Sequence, residues 1–194
     1  MNSLTKRLFD ICGSLAGLTL FSPLFLIIYI GQKLTYKGPA IFVQERIGKG
    51  GKPFNIYKFR TMVINNENDG IPQLAEPDDE RLTPFGKFLR SHHLDEMPQL
   101  WNVLKGDMSF IGPRPERKYF VDKIIERDPR YVELYSIRPG ITSYATLYNG
   151  YTDTMEKMLR RLELDLYYLE HQSWAFDMQI LWKTFINIIF GKKF

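Results

Sequence analysis

The sequence predicts a small, helix-rich α/β domain that carries an apolar helix near its N-terminus. Three observations support this class: an uncharged run over residues 11–31, two short strand-like segments joined by a glycine-rich loop, and later stretches with apolar residues three and four apart. A chain of 194 residues is long enough for one domain with a sizeable core. We therefore expect an apolar unit over residues 1–36 and a domain over residues 37–194.

The composition is mildly basic, with 26 Lys and Arg against 22 Asp and Glu and a formal charge of +4. This balance suits a partner that carries phosphates or an anionic membrane surface, although an ordinary basic soluble protein has the same balance. Cys12 is the single cysteine, so an intramolecular disulfide is excluded. No nucleic-acid partner is expected, and a homo-oligomer is left open.

The uncharged run over residues 11–31 is 21 residues long. A straight helix of this length crosses a bilayer core, since each residue adds about 1.5 Å. A secretory signal peptide is a second interpretation, but no Ala-x-Ala-like cleavage site precedes Gln32, so we expect the segment to be retained. Both flanks are basic and give no orientation by the positive-inside rule; they are Lys6, Arg7, Lys33 and Lys37.

Ser22 and Pro23 lie in the middle of this run and predict a bend. Proline removes one helical hydrogen bond and clashes with the carbonyl four residues earlier, at Thr19. The Ser22 hydroxyl can bond a freed carbonyl and deepen the bend. A bent helix that enters and leaves the membrane by one face keeps both basic flanks on the same side. A kinked spanning helix stays open, because membrane helices tolerate proline.

The remaining elements follow from local patterns. Strands are predicted over residues 41–46 and 54–60, and the glycines between them form a plain hairpin loop, since the Walker Lys-Ser/Thr ending and the dinucleotide spacing are both missing. A polar loop is predicted over residues 65–80. Helices are predicted over residues 83–89, 98–105, 116–128, 131–136, 154–171 and 176–194. The last of these suits either an interfacial membrane helix or a helix docked on the core.

The most informative motif is the acidic pair Asp95-Glu96, just before Pro98. Pro98 can open a helix that ends at Lys105, with Gly106 as its C′ residue. The carboxylates then lie at or before a helix N-terminus, where the dipole favours ionised groups and attracts phosphate. An ionised aspartate beside a phosphate site is what a carboxylate nucleophile requires. The alternative is an acidic cap on a solvated turn.

Basic residues surround this motif in the sequence. Arg90 precedes it by five residues, Lys58 and Arg60 lie two apart on a predicted strand and so share a face, and Arg114 stands between two prolines that stiffen its backbone. From Lys6 to about residue 185, the chain resembles the bacterial sugar transferase family, the monotopic phosphoglycosyl transferases. The core of that family reads much like LDE-PQL-NVLKGDMS-GPRP.

The resemblance implies transfer of a sugar-1-phosphate from a UDP-sugar to a polyprenyl phosphate such as undecaprenyl phosphate, with release of UMP. This is the first membrane step of bacterial glycoconjugate assembly. It implies a re-entrant membrane helix over residues 1–36, and over residues 37–194 a catalytic domain on the cytoplasmic face of the bacterial inner membrane. Membrane lipid is then a partner, with the amphipathic helices lying on the bilayer.

By the same resemblance, Asp95 is the nucleophile and Glu96 is its partner. Neighbouring carboxylates repel, so one of the pair is expected to have a raised pKa. A divalent cation relieves this repulsion, and Mg²⁺, held by Asp95, suits oxygen ligands and phosphates. The expected substrate-binding residues are Arg114, Arg90, Lys58, Arg60, Pro113, Gln99 and Arg138.

Two other interpretations stay open. A candidate zinc cluster consists of His92, His93, Asp95 and Glu96. His92 and Glu96 are four apart, as on one helix face, although Pro98 argues against a regular helix through these residues. A membrane-surface scaffold without catalysis explains the two apolar ends of the chain but not the acidic pair with its arginines. The chain also departs from the family pattern at His93, where a small hydroxyl residue is usual, and over Ser143–Gly150.

Overall fold

The structure, a computed structural model, describes four stretches of the chain: residues 3–36, 38–63, 79–150 and 152–190. Within them the α-helices are α1 Ser3–Leu20, α2 Ser22–Thr35, α3 Pro84–Ser91, α4 Gln99–Lys105, α5 Lys118–Arg127, α6 Tyr144–Asn149, α7 Met155–Glu170 and α8 Trp174–Ile189. The strands are β1 Ile41–Ile47, β2 Pro53–Phe59, β3 Ser109–Ile111 and β4 Gly140–Thr142. The predicted helix-rich α/β class is confirmed.

Most predicted elements are present within a few residues of their expected ends. The segment expected as a helix over residues 131–136 belongs to a 3₁₀ helix, Pro129–Ser136. Helix α6 was not predicted, although Ser143 caps it by accepting a hydrogen bond from the Thr146 amide. Of the loop expected over residues 65–80 only the last two positions are described, and the final helix is described as far as Phe190.

The predicted bend of the N-terminal run is confirmed. Helices α1 and α2 meet at Phe21 and are bent by 60°. The Ser22 hydroxyl donates a hydrogen bond of 2.8 Å to the Thr19 carbonyl, as its position before Pro23 predicts. Among the described helices none alone has the length and apolar composition of a membrane span, whereas this bent pair meets both criteria together.

Two small sheets carry the segments around the acidic pair. Strands β1 and β2 form an antiparallel hairpin, and β3 and β4 pair in parallel, with Ser109 opposite Gly140. At Gly112, just after β3, a Cβ atom would lie 2.3 Å from the Arg138 carbonyl oxygen. Only glycine permits this close approach, so the chain just after β3 lies directly against residues 138–140, where β4 begins.

The largest apolar cluster lies between α5, α7 and the 3₁₀ helix of residues 129–136. The apolar face predicted for α7 is confirmed, since its side chains at Met158, Leu162 and Leu166 are buried there. Helix α8 has two faces. Ile180 packs in a separate cluster, whereas Trp182 and several other large apolar side chains of α8 stay exposed. The docking interpretation of the last helix is thus correct for one of its faces.

Polar side chains near the start of α1 attach this helix to the domain. The Arg7 guanidinium donates to the carbonyls of Val103 and Leu104, at 2.6 and 2.7 Å, and so satisfies the C-terminal end of α4. Asp10 accepts hydrogen bonds of 3.0 Å from the Ser109 hydroxyl and the Phe110 amide of β3. The apolar helix pair therefore has a fixed attachment to the elements that flank the acidic pair.

We expect the buried ion pair between α1 and α8 to contribute strongly to stability. Asp177, 1% exposed, accepts from the Lys6 ammonium at 2.6 Å and from the Tyr168 hydroxyl at 2.5 Å. Asp177→Asn removes the direct ion-pair partner of Lys6 and should lower the free energy of unfolding by about 3 kcal/mol, measured by thermal unfolding in detergent. Asp122→Asn is the control, because its pair with Lys118 is exposed. Equal losses in the two variants would contradict this account.

Candidate active site

The acidic pair lies in a short 3₁₀ turn, Leu94–Glu96, between α3 and α4. His93 precedes it with a φ of 55°, and is the one non-glycine residue with positive φ among the described residues. Histidine is among the residues that tolerate this left-handed conformation better than most. As Pro98 predicted, no α-helix runs through Asp95, and α4 begins only at Gln99. The tight turn directs both carboxyl groups into the protein.

Asp95 is 6% exposed, and its pKa is raised to about 6. Burial is the largest cause, because a low-dielectric site disfavours the charged form; the Lys58 ammonium acts in the opposite direction, and the negative charge of Glu96 adds to the rise. The prediction that one carboxyl of the pair has a raised pKa is therefore confirmed. A group with a pKa of about 6 is still mostly ionised at pH 7.

Glu96 behaves in the opposite way. Burial alone would raise its pKa, but the Lys58 and Arg114 cations outweigh burial and hold the pKa of Glu96 well below its usual range. Its Oε1 atom accepts from Lys58 Nζ at 2.6 Å and from Arg114 Nη2 at 3.2 Å. Glu96 thus brings two of the predicted phosphate-binding cations together beside Asp95.

Asn102 of α4 explains why Lys58 reaches the acidic pair. This fully buried side chain accepts from the Tyr57 amide at 3.1 Å and donates to the Asn55 carbonyl at 2.7 Å. It therefore fixes β2 against α4, and the residue that follows Tyr57 lies over the turn. Sequence analysis did not single out Asn102, because an asparagine within a helix does not by itself indicate a long-range contact.

The other predicted site residues do not bond Glu96 as Lys58 and Arg114 do. Arg90 lies close enough for its charge to lower the pKa of Asp95. Gln99 is 2% exposed, and its Nε2 atom has no hydrogen-bond partner among the described residues.

Arg60 was expected to share a face with Lys58, and its guanidinium lies 5.6 Å from the centre of the Phe42 ring, whose cross-strand partner is Lys58. Its Nε donates to the Pro39 carbonyl at 2.9 Å. Its amide donates to the Ala40 carbonyl at 2.9 Å, which continues the pairing of the hairpin by one residue.

Two further predicted residues contact backbone. Arg138 donates from Nε to the Gly106 carbonyl at 2.8 Å, just after α4. The Pro113 carbonyl accepts from the Gly140 amide at 3.0 Å. Both contacts join segments that follow the acidic pair to the chain around β4, and neither joins the cluster of Glu96 with its cations.

A buried ionic cluster behind Arg114 was missed by sequence analysis. Glu116 lies between Arg161 of α7, at 2.5 Å, and Arg46 of β1, at 3.0 Å. Burial would raise the pKa of Glu116, but these two cations outweigh it and hold that pKa below its usual value. One signal was available: Arg161 and Asp165 stand four apart on the otherwise apolar face of α7.

The described residues contain no group of three or more His, Cys, Asp and Glu side chains that could hold a metal ion. The zinc alternative is therefore wrong for His92, whose Nδ1 lies 2.8 Å from the Phe88 carbonyl and whose side chain is exposed. Asp95 and Glu96 supply two adjacent carboxylates. This set fits Mg²⁺, which proteins bind through one or two carboxylates while substrate phosphates and water complete its shell.

Adjacent carboxylates with two cations, in a helix-rich α/β domain, define a site suited to phosphate chemistry. The chain belongs to the bacterial sugar transferase family, whose model matches residues 1–191. It is 42% identical over 186 residues to a UDP-N-acetylgalactosamine-undecaprenyl-phosphate N-acetylgalactosaminephosphotransferase of Aeromonas hydrophila, an alignment that covers 96% of this chain and 44% of the relative.

Two relatives named as UDP-glucose transferases are also similar. A UDP-glucose:undecaprenyl-phosphate glucose-1-phosphate transferase of Klebsiella pneumoniae is 42% identical, with 96% of this chain and 41% of the relative aligned. One of Caulobacter vibrioides is 39% identical, with 96% of this chain and 70% of the relative aligned. The chain thus spans less than half the length of the first two relatives.

The pKa of Asp95 provides a direct test of the site's electrostatics. Because the Lys58 ammonium lowers the pKa of Asp95, Lys58→Met should raise that pKa above its value of about 6. Carbon-13 NMR of protein labelled at the aspartate carboxyl groups measures this titration, with Asp95→Asn assigning the resonance. Lys118→Met, which removes an exposed lysine, should leave it unchanged. If Asp95 titrates at the same pH in both lysine variants, Lys58 does not act on it.

Proposed function

We propose that this protein is a phosphoglycosyl transferase that moves a sugar-1-phosphate from a UDP-sugar to undecaprenyl phosphate and releases UMP. The observation that carries the proposal is the buried Asp95 carboxyl beside Glu96, with Lys58 and Arg114 joined to that glutamate. Membership of the sugar transferase family supports the reaction class, and the relatives named above act on UDP-sugars and undecaprenyl phosphate.

In the proposed reaction, an oxygen of Asp95 attacks the β-phosphorus of the UDP-sugar. The bond between that phosphorus and the oxygen bridging to the α-phosphate breaks, and UMP leaves with the bond electrons. An aspartyl phospho-sugar remains. A phosphate oxygen of undecaprenyl phosphate then attacks the same phosphorus and releases Asp95 as a carboxylate, which gives undecaprenyl-diphosphate-sugar. The pKa of about 6 suits Asp95 as nucleophile, because the carboxylate predominates at neutral pH.

The cations take the charge that develops on the phosphates. Arg114 has 36% of its side chain exposed, so its fork-shaped guanidinium can contact a diphosphate while Glu96 orients it. Lys58 and Arg90 add further positive charge near Asp95. We also assign substrate binding to Gln99, whose Nε2 atom has no hydrogen-bond partner among the described residues. Arg60, Pro113 and Arg138 support the walls of the site through the backbone contacts described above.

Mg²⁺ is the proposed cofactor, held by Asp95 together with Glu96. Its chemistry there would be to neutralise the diphosphate and to relieve the repulsion between the two carboxylates. The residues present are compatible with it, since both carboxylates supply hard oxygen donors and the phosphates of the substrate would complete the shell.

The N-terminal pair is proposed to be a re-entrant membrane helix over residues 1–36. Its support is the 60° bend together with large exposed apolar side chains on both helices, among them Leu15, Leu20 and Ile27. Exposed Trp182 and Phe185 of α8 would lie at the same bilayer surface. The domain over residues 37–194 would then face the cytoplasm at the inner membrane, where the phosphate of undecaprenyl phosphate reaches Asp95.

Asp95→Asn is expected to abolish UMP release, because an amide is a poor nucleophile. Purified protein in nanodiscs with undecaprenyl phosphate and Mg²⁺ is first screened with a set of UDP-sugars, and the sugar that gives most UMP is used for the variants. Asp122→Asn, an exposed aspartate of α5, should retain wild-type turnover. Near-native UMP release by Asp95→Asn would show that the nucleophile is another group. A wild-type protein that releases no UMP with any sugar would favour the scaffold interpretation.

The bend also predicts the topology of the chain. Replacing Ser22 and Pro23 with alanine restores a continuous helix, since alanine is the best helix former. We expect the double variant to span the membrane, to move one end across it and to lose turnover. Labelling of an introduced Asn2→Cys, in a Cys12→Ser background in intact cells, reports the position of that end. An impermeant reagent should not label the parent protein, and ready labelling would exclude a re-entrant helix.

A further inference from the structure

The backbone around Arg114 is bonded on both sides, although it forms no helix or strand of its own. Before the arginine, the Pro113 carbonyl accepts a hydrogen bond from the Gly140 amide at 3.0 Å. After it, the Pro115 carbonyl accepts from the Arg46 guanidinium at 3.2 Å. Prolines have no backbone N–H to donate, so these carbonyls supply the attachment. Arg46, far away in the sequence, thus contacts the residue next to the arginine that is proposed to bind phosphate.

Arg46 of β1 also contacts the residue after Pro115. Its Nη1 atom donates to the Glu116 carboxylate at 3.0 Å, and the Ile47 amide donates to the Glu116 carbonyl at 2.9 Å. The side-chain oxygen of Gln44 accepts from Arg46 Nη2 at 2.6 Å and so orients the guanidinium. The Arg46 side chain is 20% exposed. The end of β1 is therefore joined to residues 115 and 116 by three hydrogen bonds.

The same hairpin carries Lys58 to the acidic pair. Lys58 lies opposite Phe42, and residues 42 and 46 of β1 share a face because side chains alternate along a strand. Lys58 and Arg46 therefore project from one face of the hairpin, near its opposite ends. Lys58 bonds Glu96 at 2.6 Å, and Glu96 bonds Arg114 at 3.2 Å. The hairpin thus determines the separation between Glu96 and the segment of Arg114.

We propose that Arg46 is a positioning residue that holds Arg114 in place for binding of the diphosphate. The proposal rests on the function proposed above, in which the Arg114 guanidinium contacts that diphosphate. The hydrogen bonds of Arg46 go to Gln44, Pro115 and Glu116, so its effect reaches the substrate through the segment of Arg114. A displacement of about 1 Å at a substrate-binding group costs up to roughly 100-fold in rate.

Arg46→Met tests this role while an unbranched side chain still fills the space of the arginine stem. Glu116 keeps its ion pair with Arg161 at 2.5 Å, so this buried carboxylate retains a cation. The contact with the Pro115 carbonyl is lost, and we expect kcat/KM for the UDP-sugar to fall roughly 10- to 100-fold. Arg130→Met is the matched control, because Arg130 is likewise paired with acidic side chains but is half exposed, and it should keep wild-type kinetics.

A double-mutant cycle distinguishes positioning from general damage. If Arg46 acts through Arg114, Arg46→Met should lower kcat/KM little further in an Arg114→Lys background, because lysine has already lost the fork-shaped contact. A merely structural role would give the same fractional loss in both backgrounds. That additive result would overturn the proposal, and so would wild-type kinetics for Arg46→Met. Either result leaves the proposed function standing, because wild-type turnover and its dependence on Asp95 are measured separately.

Hydrogen exchange supplies a readout that does not depend on activity. In Arg46→Met, peptides that cover residues 112–117 should exchange faster than in wild type, while peptides from α1 and α8 stay unchanged. Unchanged exchange over residues 112–117 would overturn the proposal even if no UDP-sugar were turned over. Faster exchange throughout the chain would also overturn it, since Arg46 would then support the whole fold.

Discussion

The acidic pair stays buried only because cations from two distant segments neutralise Glu96. Lys58 comes from the hairpin and Arg114 from the segment after β3, and both reach the same glutamate oxygen. Removing either cation would leave a buried carboxylate with one partner, which is unfavourable. The fold must therefore bring β2, α4 and residues 112–117 together, and Asn102 and the β3–β4 pair do so.

The same arrangement gives the two carboxylates different properties. Glu96 is held ionised by its ion pairs, whereas Asp95, which forms no direct ion pair with the described residues, is buried beside it and has a raised pKa. A nucleophile must be free to form a bond, and a carboxylate already bound by two cations is a poor candidate. The structure therefore favours Asp95 for the covalent step of the proposed reaction, with Glu96 orienting the phosphate-binding groups.

Features fixed by neighbouring residues were predictable from the sequence. The bend at Ser22 and Pro23, the end of regular helix before Pro98 and the apolar face of α7 each follow from local sterics or spacing. Features fixed by tertiary packing were not predictable. Nothing near Asn102 in the sequence indicates which backbone groups it reaches. Nor does the spacing of Lys58 and Arg60 indicate that Lys58 bonds Glu96 whereas Arg60 bonds the Pro39 carbonyl.

The central claim, that Asp95 carries the sugar phosphate, is tested most directly by trapping the adduct. Wild-type protein is mixed with UDP-sugar and Mg²⁺ without undecaprenyl phosphate, and its intact mass and the peptide that spans residues 91–105 are measured by mass spectrometry. The account predicts a mass increase equal to one sugar-phosphate, located on Asp95, that disappears when undecaprenyl phosphate is added. UMP release that requires undecaprenyl phosphate and leaves no adduct, or an adduct on another residue, would contradict it.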